Sequence, residues 1–418
     1  DLIYITKDAG IDSIVVDSVF IKPETIPFLQ TFKNIIVVGP TDPIKIGNNA
    51  LSYKTFLANA DCTKAKVQHE KLDSIPDIIL YTSGTTAKPK GVMLDESQFF
   101  ANSQDTLTHI PITRDDRVIV ALPLFHSFGN IMAMMVFMTG GTLILLKQFA
   151  PKSILHNIEE RKATILPLVP TIYSFLIDLY ARGNYDVSSL KYCISGGAAL
   201  PHSLLKKVEE TLQVSVIEGY GLTETSPVIA VNTFKDGSFP GSVGPVIPNL
   251  KLKIIDEAGN EKVSGEVGEI VVRGKTVMQG YWNLPKETAK TITSDGWLKT
   301  GDLGHLDKEN RLFISAGRKK DLIIRAGENI SPLAIENILM NHPAIAEVAA
   351  VGISDERAGE RVKVFIVLRT DATTTESELK SFCRKNLPAF MIPDHFQIME
   401  ELPKNATGKI LKNELKKN

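Results

Sequence analysis

The sequence has little cysteine, no excess of one charge and no long hydrophobic run. Its three cysteines, Cys62, Cys193 and Cys383, lie far apart in 418 residues and have no CxxC spacing. This excludes a disulfide framework and a zinc cluster, and it fits a reducing compartment. The 47 lysines and arginines face 48 aspartates and glutamates, for a formal net charge of −1. Such a balance gives no general attraction to nucleic acid or to an anionic membrane, so any recognition of phosphate must be local.

No segment is suited to cross a bilayer. The longest uncharged run, from Asn130 to Leu146, is short and is broken by Gly140 and Gly141. It predicts a buried helix, a turn and a buried strand. No secretory leader is visible, and we expect a cytoplasmic protein with at most peripheral membrane association. Because the chain opens at Asp1 directly into an apolar run, we expect it to begin inside a longer protein.

The first part of the chain alternates short apolar runs with helical patterns. Ser13–Val16, Asp116–Leu122 and Ser215–Glu218 are strand-length runs rich in β-branched residues. Ser153–Arg161 and Leu204–Leu212 carry apolar residues at helical spacing. Alternating β and α units are typical of a largely parallel sheet. We therefore predict a large α/β body.

The pattern changes from about Gly244 onward. Strand-like runs such as Leu252–Asp256 and Val267–Arg273 are separated by turn-rich segments, which predicts an antiparallel β subdomain over about 244–316. After Lys320, helical and strand-like runs predict a small α+β domain. We therefore expect a large domain over 1–319 and a small one over 320–418. The charged run Gly317–Asp321 is the expected linker.

The strongest chemical signal is the segment Tyr81–Gly91, with the sequence YTSGTTAKPKG, which follows the apolar run Ile78–Leu80. Glycines let backbone N–H groups approach a phosphate, hydroxyls donate hydrogen bonds, and lysines neutralise charge. The segment is not a Walker A loop, because Gly84 is not followed by Gly-Lys-Ser/Thr at the required spacing. It predicts an oxyanion-binding loop, and the alternative is a flexible polar loop on the surface.

A second signal is the segment Glu218–Thr225, which continues the apolar run Val214–Ile217. A strand that ends in glycines brings backbone close to a ligand at the carboxyl edge of a sheet. Tyr220 offers a face on which a base can stack, and Glu224 offers an oxygen ligand for Mg²⁺. The segment Ser195–Ala199 has a similar character but is weak when taken alone, and a simple tight turn explains it better.

Three further features are weak when each is taken alone. Asp302, in a Thr-Gly-Asp sequence, suits a ribose diol or the cap of a turn. Lys409 lies in a Gly/Thr turn near the carboxyl terminus, where a lysine is normally a surface residue. His126 stands among apolar residues and by default is a core histidine. No HExxH, GxSxG, kinase or EF-hand motif is present.

Taken together and in this order, the segments resemble the adenylate-forming superfamily of acyl-CoA synthetases, luciferase-like enzymes and nonribosomal adenylation domains. The resemblance runs from about Ile78 to the carboxyl terminus. Within the superfamily, the chain is most similar to a bacterial acyl-CoA synthetase of the medium- or long-chain fatty acid type. The resemblance implies an α/β body with parallel sheets and a β subdomain, joined to a small mobile α+β domain.

The resemblance also implies a role for each matching residue. The phosphate loop of ATP binding would comprise Thr82, Ser83, Gly84, Thr85, Thr86 and Lys90. Adenine and ribose would be bound by Gly197, Ala198, Glu218, Gly219, Tyr220, Gly221, Asp302, Ile314 and Arg318. Thr223 would contact the α-phosphate, Glu224 would ligate Mg²⁺, His126 would lie near the substrate carboxylate, and Lys409 would be the catalytic lysine. Lys320 would be the hinge, and Ala326, Gly327 and Glu328 would line the CoA channel.

The sequence departs from the family pattern at three places. Ala87 replaces a glycine of the phosphate loop, and Ala326 replaces the first glycine of a common pair. Both replacements are small, so we expect the loops to keep their function. Members of the family also usually carry roughly a hundred residues before the position that matches Asp1, and those residues complete the large domain.

The implied reaction is the ATP-dependent activation of a fatty or other carboxylic acid to acyl-AMP, followed by thioester formation with CoA. The small domain would rotate about Lys320 between the two halves, exchanging Lys409 for the pantetheine channel. Two alternatives stay open at this point. The first is an adenylation enzyme that loads an acyl carrier protein instead of CoA, and the second is a non-catalytic fragment that only binds ATP or acyl-adenylate.

Overall fold

The computed structural model describes residues 2–60, 76–82, 88–146, 150–318, 321–355, 358–405 and 408–417, with the backbone alone for 316–318. The described chain divides into two compact units. The first unit takes in Asp1–Met93 and Tyr281–Pro285. The second takes in Leu94–Gly280 and Lys286–Asn418.

The strands among the described residues are, in chain order, β1 (Ser13–Asp17), β2 (Asn34–Val38), β3 (Ala50–Ser52), β4 (Ile78–Thr82), β5 (Lys90–Leu94), β6 (Arg117–Val120), β7 (Thr142–Leu145), β8 (Ile165–Leu168), β9 (Tyr192–Ser195), β10 (Ser215–Gly221), β11 (Val228–Val231), β12 (Ser242–Pro245), β13 (Leu250–Ile255), β14 (Gly268–Gly274), β15 (Gly280–Tyr281), β16 (Leu298–Leu306), β17 (Arg311–Arg318), β18 (Ile323–Arg325), β19 (Glu328–Ile330), β20 (Ile345–Asp355), β21 (Gly359–Leu368) and β22 (His395–Met399).

The α-helices are α1 (Leu2–Asp8), α2 (Ile26–Leu29), α3 (Tyr53–Ala58), α4 (Glu96–Leu107), α5 (Ser127–Thr139), α6 (Pro151–Arg161), α7 (Pro170–Tyr180), α8 (His202–Leu212), α9 (Pro285–Thr291), α10 (Pro332–Leu339), α11 (Glu376–Asn386) and α12 (Lys412–Leu415). Some of these helices have an N-cap side chain that accepts a hydrogen bond from a backbone N–H group of the first turn. Asp95 is the N-cap of α4 and Thr375 is the N-cap of α11, and each forms a reciprocal capping box.

The first unit contains two three-stranded sheets. Strands β1, β2 and β3 are parallel, and their apolar side chains form a small core around Phe32, Ile35 and Val37. The other sheet has the order β15-β5-β4. Strands β4 and β5 carry the two ends of the predicted phosphate loop, since Thr82 ends β4 and Lys90 begins β5.

The body of the second unit is a six-stranded sheet in the order β11-β10-β9-β8-β6-β7. Strands β6 to β10 pair in parallel, and β11 closes one edge in the antiparallel direction. Helices α6, α7 and α8 bury apolar residues against it, among them Ile154, Tyr173 and Val208. The predicted α/β body is therefore present, and it places the carboxyl ends of β9 and β10 side by side.

The predicted β subdomain is an antiparallel sheet in the order β12-β17-β16-β14-β13. Two local predictions differ from the structure. Asp302 lies inside β16 rather than in a turn, although Gly301 before it has a positive φ of 73°. Strand β17 continues to Arg318 and pairs it with Asp302, so the first part of the expected linker belongs to the sheet. Lys319 and Lys320 lie outside the described residues.

The carboxyl-terminal part of the second unit is an α+β lobe, called the small lobe below (described residues within 321–417). Its sheet has the order β19-β18-β21-β20, with β22 parallel to β21. Helices α10 and α11 cover one face through residues such as Ile335 and Leu379, and α12 packs on the other through Leu415. In the described part of the chain, no helix is both long and apolar enough to span a bilayer.

Candidate active site

The amino-terminal end of α5 presents His126. This residue occupies the N-cap position, where its Nδ1 accepts a hydrogen bond from the backbone N–H of Phe128 at 3.3 Å. Burial is the main factor that lowers the pKa of His126, and the charge of Lys409 lowers it further. Since the ordinary pKa of histidine is about 6.5, His126 is neutral at pH 7.

Lys409 lies at the end of a hairpin turn in the small lobe. The backbone N–H of Lys409 donates to Oδ1 of Asn405 at 2.9 Å, and the N–H of Gly408 donates to the carbonyl of Asn405 at 3.0 Å. Gly408 has a φ of 83°, and a Cβ there would lie 3.4 Å from Cγ2 of Val169. The left-handed backbone at this position favours a glycine.

The turn brings Lys409 to a narrow cleft in the second unit. This cleft, called the lysine cleft below, is lined by Leu122, Pro123, His126, Phe128, Val169, Gly197, Ala198, Gly408 and Lys409. Four residues predicted for the site, His126, Gly197, Ala198 and Lys409, therefore meet although they come from distant parts of the sequence. The arrangement places an exposed lysine beside a neutral histidine and exposed backbone of the Gly197 turn.

A larger cavity of about 70 Å³ adjoins the lysine cleft, and we call it the apolar cavity. His126, Phe128 and Gly197 line both spaces. The remaining lining residues are Thr106, Ile110, Ser127, Ile131, Met132, Met135, Ile194, Ser195, Gly196, Gly219, Tyr220, Gly221, Pro227, Val228 and Val231. No Asp, Glu, Lys or Arg of the described residues lines this cavity.

Strand β10 forms one wall of the apolar cavity and carries the predicted adenine site. A Cβ at Gly221 would collide with the carbonyl oxygen of Pro227, which explains a glycine where the strand turns back toward β11. The hydroxyl of Tyr220 donates to Oδ2 of the buried Asp302 at 2.6 Å. Ile314, on the neighbouring strand β17, pairs with Gly304. The adenine and ribose candidates of β10 and β16 are thus in direct contact.

Glu218, like Asp302, is a buried carboxyl residue. Its side chain is 6% exposed, and Oε1 accepts a hydrogen bond from the backbone N–H of Leu200 at 3.0 Å. Burial raises the pKa of the Glu218 carboxyl to about 7, against a smaller opposite effect of that hydrogen bond. This carboxyl therefore lies behind the Gly197–Ala199 turn rather than at its surface.

Thr223 and Glu224 begin a short 3₁₀ turn directly after β10. The hydroxyl oxygens of Thr223 and Ser127 lie 3.4 Å apart, so this turn is adjacent to the start of α5. Among the described residues, no group of three or more His, Cys, Asp or Glu side chains could hold a metal ion. A single carboxylate such as Glu224 fits Mg²⁺ that arrives bound to phosphates, because Mg²⁺ takes few protein ligands at nucleotide sites.

Other predicted residues are not brought to these cavities by the described structure. Thr82 and Lys90 belong to the first unit, where the Lys90 ammonium lies 5.0 Å from the ring centre of Tyr281. Ser83, Gly84, Thr85 and Thr86 lie outside the described residues, as does Lys320. Ala326 and Gly327 form the exposed turn before Glu328 in the small lobe, both with positive φ, and line neither cavity.

Sequence reasoning left several residues of the site undecided, because the apolar stretches Phe128–Phe137 and Ile165–Val169 suit an aliphatic tunnel and a plain core equally. Ile131, Met132 and Met135 lie on one face of α5 and line the apolar cavity, whereas the sequence allowed them equally as core. Helical spacing alone does not separate a cavity wall from a packed core. Val169 lines the lysine cleft together with the turn that carries Lys409, and no local motif marks it.

Comparison with known proteins identifies the family. The family model described as "AMP-binding enzyme" matches residues 1–282, and "AMP-binding enzyme C-terminal domain" matches residues 334–409. The chain belongs to the AMP-binding enzyme family. Both models cover residues that build the lysine cleft, since His126 falls in the first and Lys409 in the second.

Relatives of this AMP-binding enzyme include several CoA ligases. A long-chain-fatty-acid–CoA ligase of Bacillus subtilis is 36% identical over 440 residues, covering 99% of this chain and 78% of the relative. One of Escherichia coli O157:H7 is 34% identical over 376 residues, covering 88% and 66%. Indoleacetate–CoA ligase of Aromatoleum aromaticum is 36% identical over 343 residues, covering 82% and 67%.

Solved structures agree with these relatives. ATP-bound MatB from Rhodopseudomonas palustris matches with a TM-score of 0.86 and 29% identity, over 100% of this chain and 80% of the other. o-Succinylbenzoate CoA synthetase of Bacillus subtilis, in complex with ATP and a magnesium ion, matches with a TM-score of 0.80 and 30% identity, over 99% and 81%. The chain is an AMP-forming acid–CoA ligase that uses ATP, Mg²⁺ and CoA.

Proposed function

We propose that this AMP-binding enzyme activates an apolar, fatty-acid-like carboxylic acid at the lysine cleft. The observation that supports the proposal most directly is the continuity of two spaces. The lysine cleft and the apolar cavity share His126, Phe128 and Gly197. A substrate carboxylate at the shared boundary would lie beside Lys409 while its hydrocarbon chain occupied the apolar cavity.

The first half-reaction requires charge neutralisation more than acid–base chemistry. A carboxylate is already ionised at pH 7, and its oxygen attacks the α-phosphorus of ATP. The new bond is between carboxylate oxygen and phosphorus, and the bond to the bridging oxygen of pyrophosphate breaks. Two anions must approach in line for this step. The ammonium of Lys409 is the group that offsets their repulsion in the proposed arrangement.

The nucleotide is held, in this proposal, by residues around β10 and β16. Asp302, oriented by the Tyr220 hydroxyl, accepts hydrogen bonds from the ribose hydroxyls. Thr223 donates to the α-phosphate. Mg²⁺, held by Glu224 together with the phosphates, supplies positive charge next to the leaving pyrophosphate.

The second half-reaction needs access for a thiol. The sulfur of CoA attacks the acyl carbon, the bond from that carbon to the AMP oxygen breaks, and the thiol proton passes to solvent. Lys409 occupies the cleft in the present structure. We propose that the small lobe rotates about Lys320 to withdraw Lys409 and to present the Ala326–Glu328 turn, which would line the CoA channel.

The cavity also favours a class of acid. Its walls are apolar, with Ile131, Met132, Met135 and Val231 among them, and no acidic or basic side chain of the described lining could meet a second charge. Burying an unpaired charge there would be costly. We therefore propose an aliphatic or aryl monocarboxylic acid rather than an amino acid or a dicarboxylic acid. We propose the cytoplasm as the site of action, in line with the sparse cysteines.

The test is an ATP–pyrophosphate exchange screen with the purified chain. The panel should contain saturated aliphatic acids of increasing length, aryl acids, dicarboxylic acids and amino acids. We expect exchange with apolar monocarboxylic acids and little with the charged classes. Activity with charged acids alone would refute the substrate class, and no exchange with any acid would refute catalysis by this chain.

A second assay identifies the acceptor. Acyl-adenylate formed in the first assay is offered either CoA or a holo carrier protein, and AMP release is followed. We expect AMP release with CoA. Release with the carrier protein alone would replace CoA by a carrier protein as the acceptor.

A further inference from the structure

Helix α7 connects the lysine cleft with the surface of the α/β body. Val169, its N-cap residue, lines the cleft together with Gly408 of the turn that carries Lys409. From there the helix runs to Tyr180. Phe175 and Asp178 are three residues apart and therefore lie on the same face of the helix. Phe175 is 47% exposed, so part of its ring remains accessible on this face.

An ion pair joins this face to the end of β21 in the small lobe. A terminal nitrogen of Arg369 donates to Oδ2 of Asp178 at 3.1 Å. The other oxygen of the same carboxylate accepts from Nζ of Lys207, on α8, at 2.8 Å. Lys207 thus orients the Asp178 carboxylate within the body, and Arg369 approaches it from the small lobe.

A second contact on the same face comes from the turn of Lys409 itself. The ammonium of Lys404 lies 5.8 Å from the ring centre of Phe175. It also forms an ion pair at 2.7 Å with Glu347, a residue of β20 that is 7% exposed. Lys404 pairs with Ile410 across the turn. Phe175 therefore touches a side chain fixed at both the turn and the central sheet of the small lobe.

We infer that the Phe175–Asp178 face of α7 is the docking surface that holds the small lobe with Lys409 in the cleft. Arg369 and Lys404 are the positioning residues on the other side. This inference rests on the proposed function, because it assigns the docked position to the adenylation half-reaction. The two contacts come from separate segments of the small lobe, so together they fix its orientation and not merely its distance.

The strength of these contacts suits a surface that must open in every turnover. The side chains of Arg369 and Asp178 are 25% and 35% exposed. Ion pairs of such exposure change an equilibrium by about two- to fivefold. A contribution of this size shifts the populations of docked and undocked lobe without locking either. Losing the pair should lower adenylation relative to thioester formation, because only adenylation uses the docked lobe.

The experiment measures both half-reactions in Arg369→Gln, Asp178→Asn and the double variant of the full chain. Adenylation is followed by pyrophosphate exchange, and thioester formation by AMP release from supplied acyl-adenylate with CoA. We expect the ratio of the two rates to fall about two- to fivefold in each single variant. The double variant should fall no further than Asp178→Asn alone, because that variant has already lost the partner of Arg369 as well as its own ion pair with Lys207.

Arg361→Gln is the matched control, since Arg361 forms its ion pair with Asp355 inside the small lobe. It should leave the ratio unchanged. For wild type, raising the potassium chloride concentration should lower the ratio, whereas the double variant should respond less. The salt dependence of the wild-type protein can be measured even if the single variants do not fold.

Two outcomes would overturn the docking surface while leaving the proposed function intact. One is an unchanged ratio in the single variants, and the other is an equal fall of both rates, which indicates a merely structural role. A wild-type chain that exchanges pyrophosphate with no acid would instead overturn the proposed function.

Discussion

Lys409 and His126 line the same cleft, and the charge of the lysine lowers the pKa of the histidine. One residue comes from the small lobe and the other from the first turn of α5. Burial acts in the same direction and is the larger cause. The proximity of the two groups therefore has a consequence that can be measured without substrate.

The first prediction concerns the titration of His126 in Lys409→Gln. Removing the positive charge should raise the pKa of His126, and the remaining burial should still keep it below the ordinary value of about 6.5. The measurement is an NMR titration of the imidazole C–H signals, assigned with His126→Gln. Lys416→Gln, an exposed lysine of the same tail, is the control. An unchanged His126 titration in Lys409→Gln would show that the lysine does not approach the histidine in solution.

The second prediction concerns the two half-reactions in Lys409→Ala. Loss of one preorganised charge from an active site typically costs on the order of 10²–10³ in rate, and we expect that loss in pyrophosphate exchange. Thioester formation from supplied acyl-adenylate should change far less, because the proposed role ends with the adenylate. Lys416→Ala serves as the control. An equal loss in both half-reactions would contradict the role assigned to Lys409.

Much of the fold could be predicted from local patterns. The apolar run Asn130–Leu146 predicted a helix, a turn and a strand, and the structure has α5, the turn at Gly140 and β7 there. Strands buried on both faces, such as β8 and β9, leave a continuous apolar run that is readily recognised. The extent of the predicted linker was harder to predict from the sequence. Only the pairing with β16 shows that strand β17 continues to Arg318.

The site could be predicted only in part, for a physical reason. Glycine and hydroxyl clusters predicted the segments at Gly197 and Tyr220, because backbone without bulky side chains at a strand end can approach a ligand closely. Lys409 had no local signature, and only the family resemblance singled it out. Contacts between distant segments, such as Arg369 with Asp178, depend on how the small lobe lies against α7. Sequence periodicity carries no information about that arrangement.

The third prediction tests the Tyr220–Asp302 pair. Asp302→Asn should raise the KM for ATP by about 10- to 100-fold, because hydrogen bonds to a charged group contribute about 1.5–3 kcal/mol. Tyr220→Phe should raise it less, since the phenylalanine keeps the aromatic face and loses only the hydroxyl that orients Asp302. The double variant should show less than additive effects in steady-state kinetics. Additive effects would indicate that the two residues act independently on ATP.

The fourth prediction concerns Met132, which is 1% exposed and lines the apolar cavity. Met132→Ala enlarges the cavity, and we expect kcat/KM to shift toward bulkier or longer acids in the exchange assay. The change should also cost about 2–5 kcal/mol of stability, as large-to-small core substitutions do. Leu205→Ala, a core change on α8 outside both cavities, controls for that loss. An identical acid preference in both variants would remove Met132 from the substrate cavity.

The fifth prediction follows from the buried Glu218. Burial raises the pKa of this carboxyl to about 7, so the folded protein binds a proton at Glu218 more tightly than the unfolded chain does. At a pH below the ordinary pKa of glutamate, Glu218 is protonated in both the folded and the unfolded chain. In that range its titration does not change the free energy of unfolding. As pH rises toward about 7, the unfolded chain loses the proton first, and the free energy of unfolding falls.

Glu218→Gln lacks this titration, so the variant should gain stability relative to wild type as pH rises from acid to about 7, and the difference should level off above it. The full shift corresponds to a change on the order of 3 kcal/mol. The measurement is the denaturant unfolding of both proteins across that pH range. A stability difference independent of pH would mean that Glu218 is ionised in the folded protein, and the carboxyl behind the Gly197–Ala199 turn would then need a positive partner or solvent.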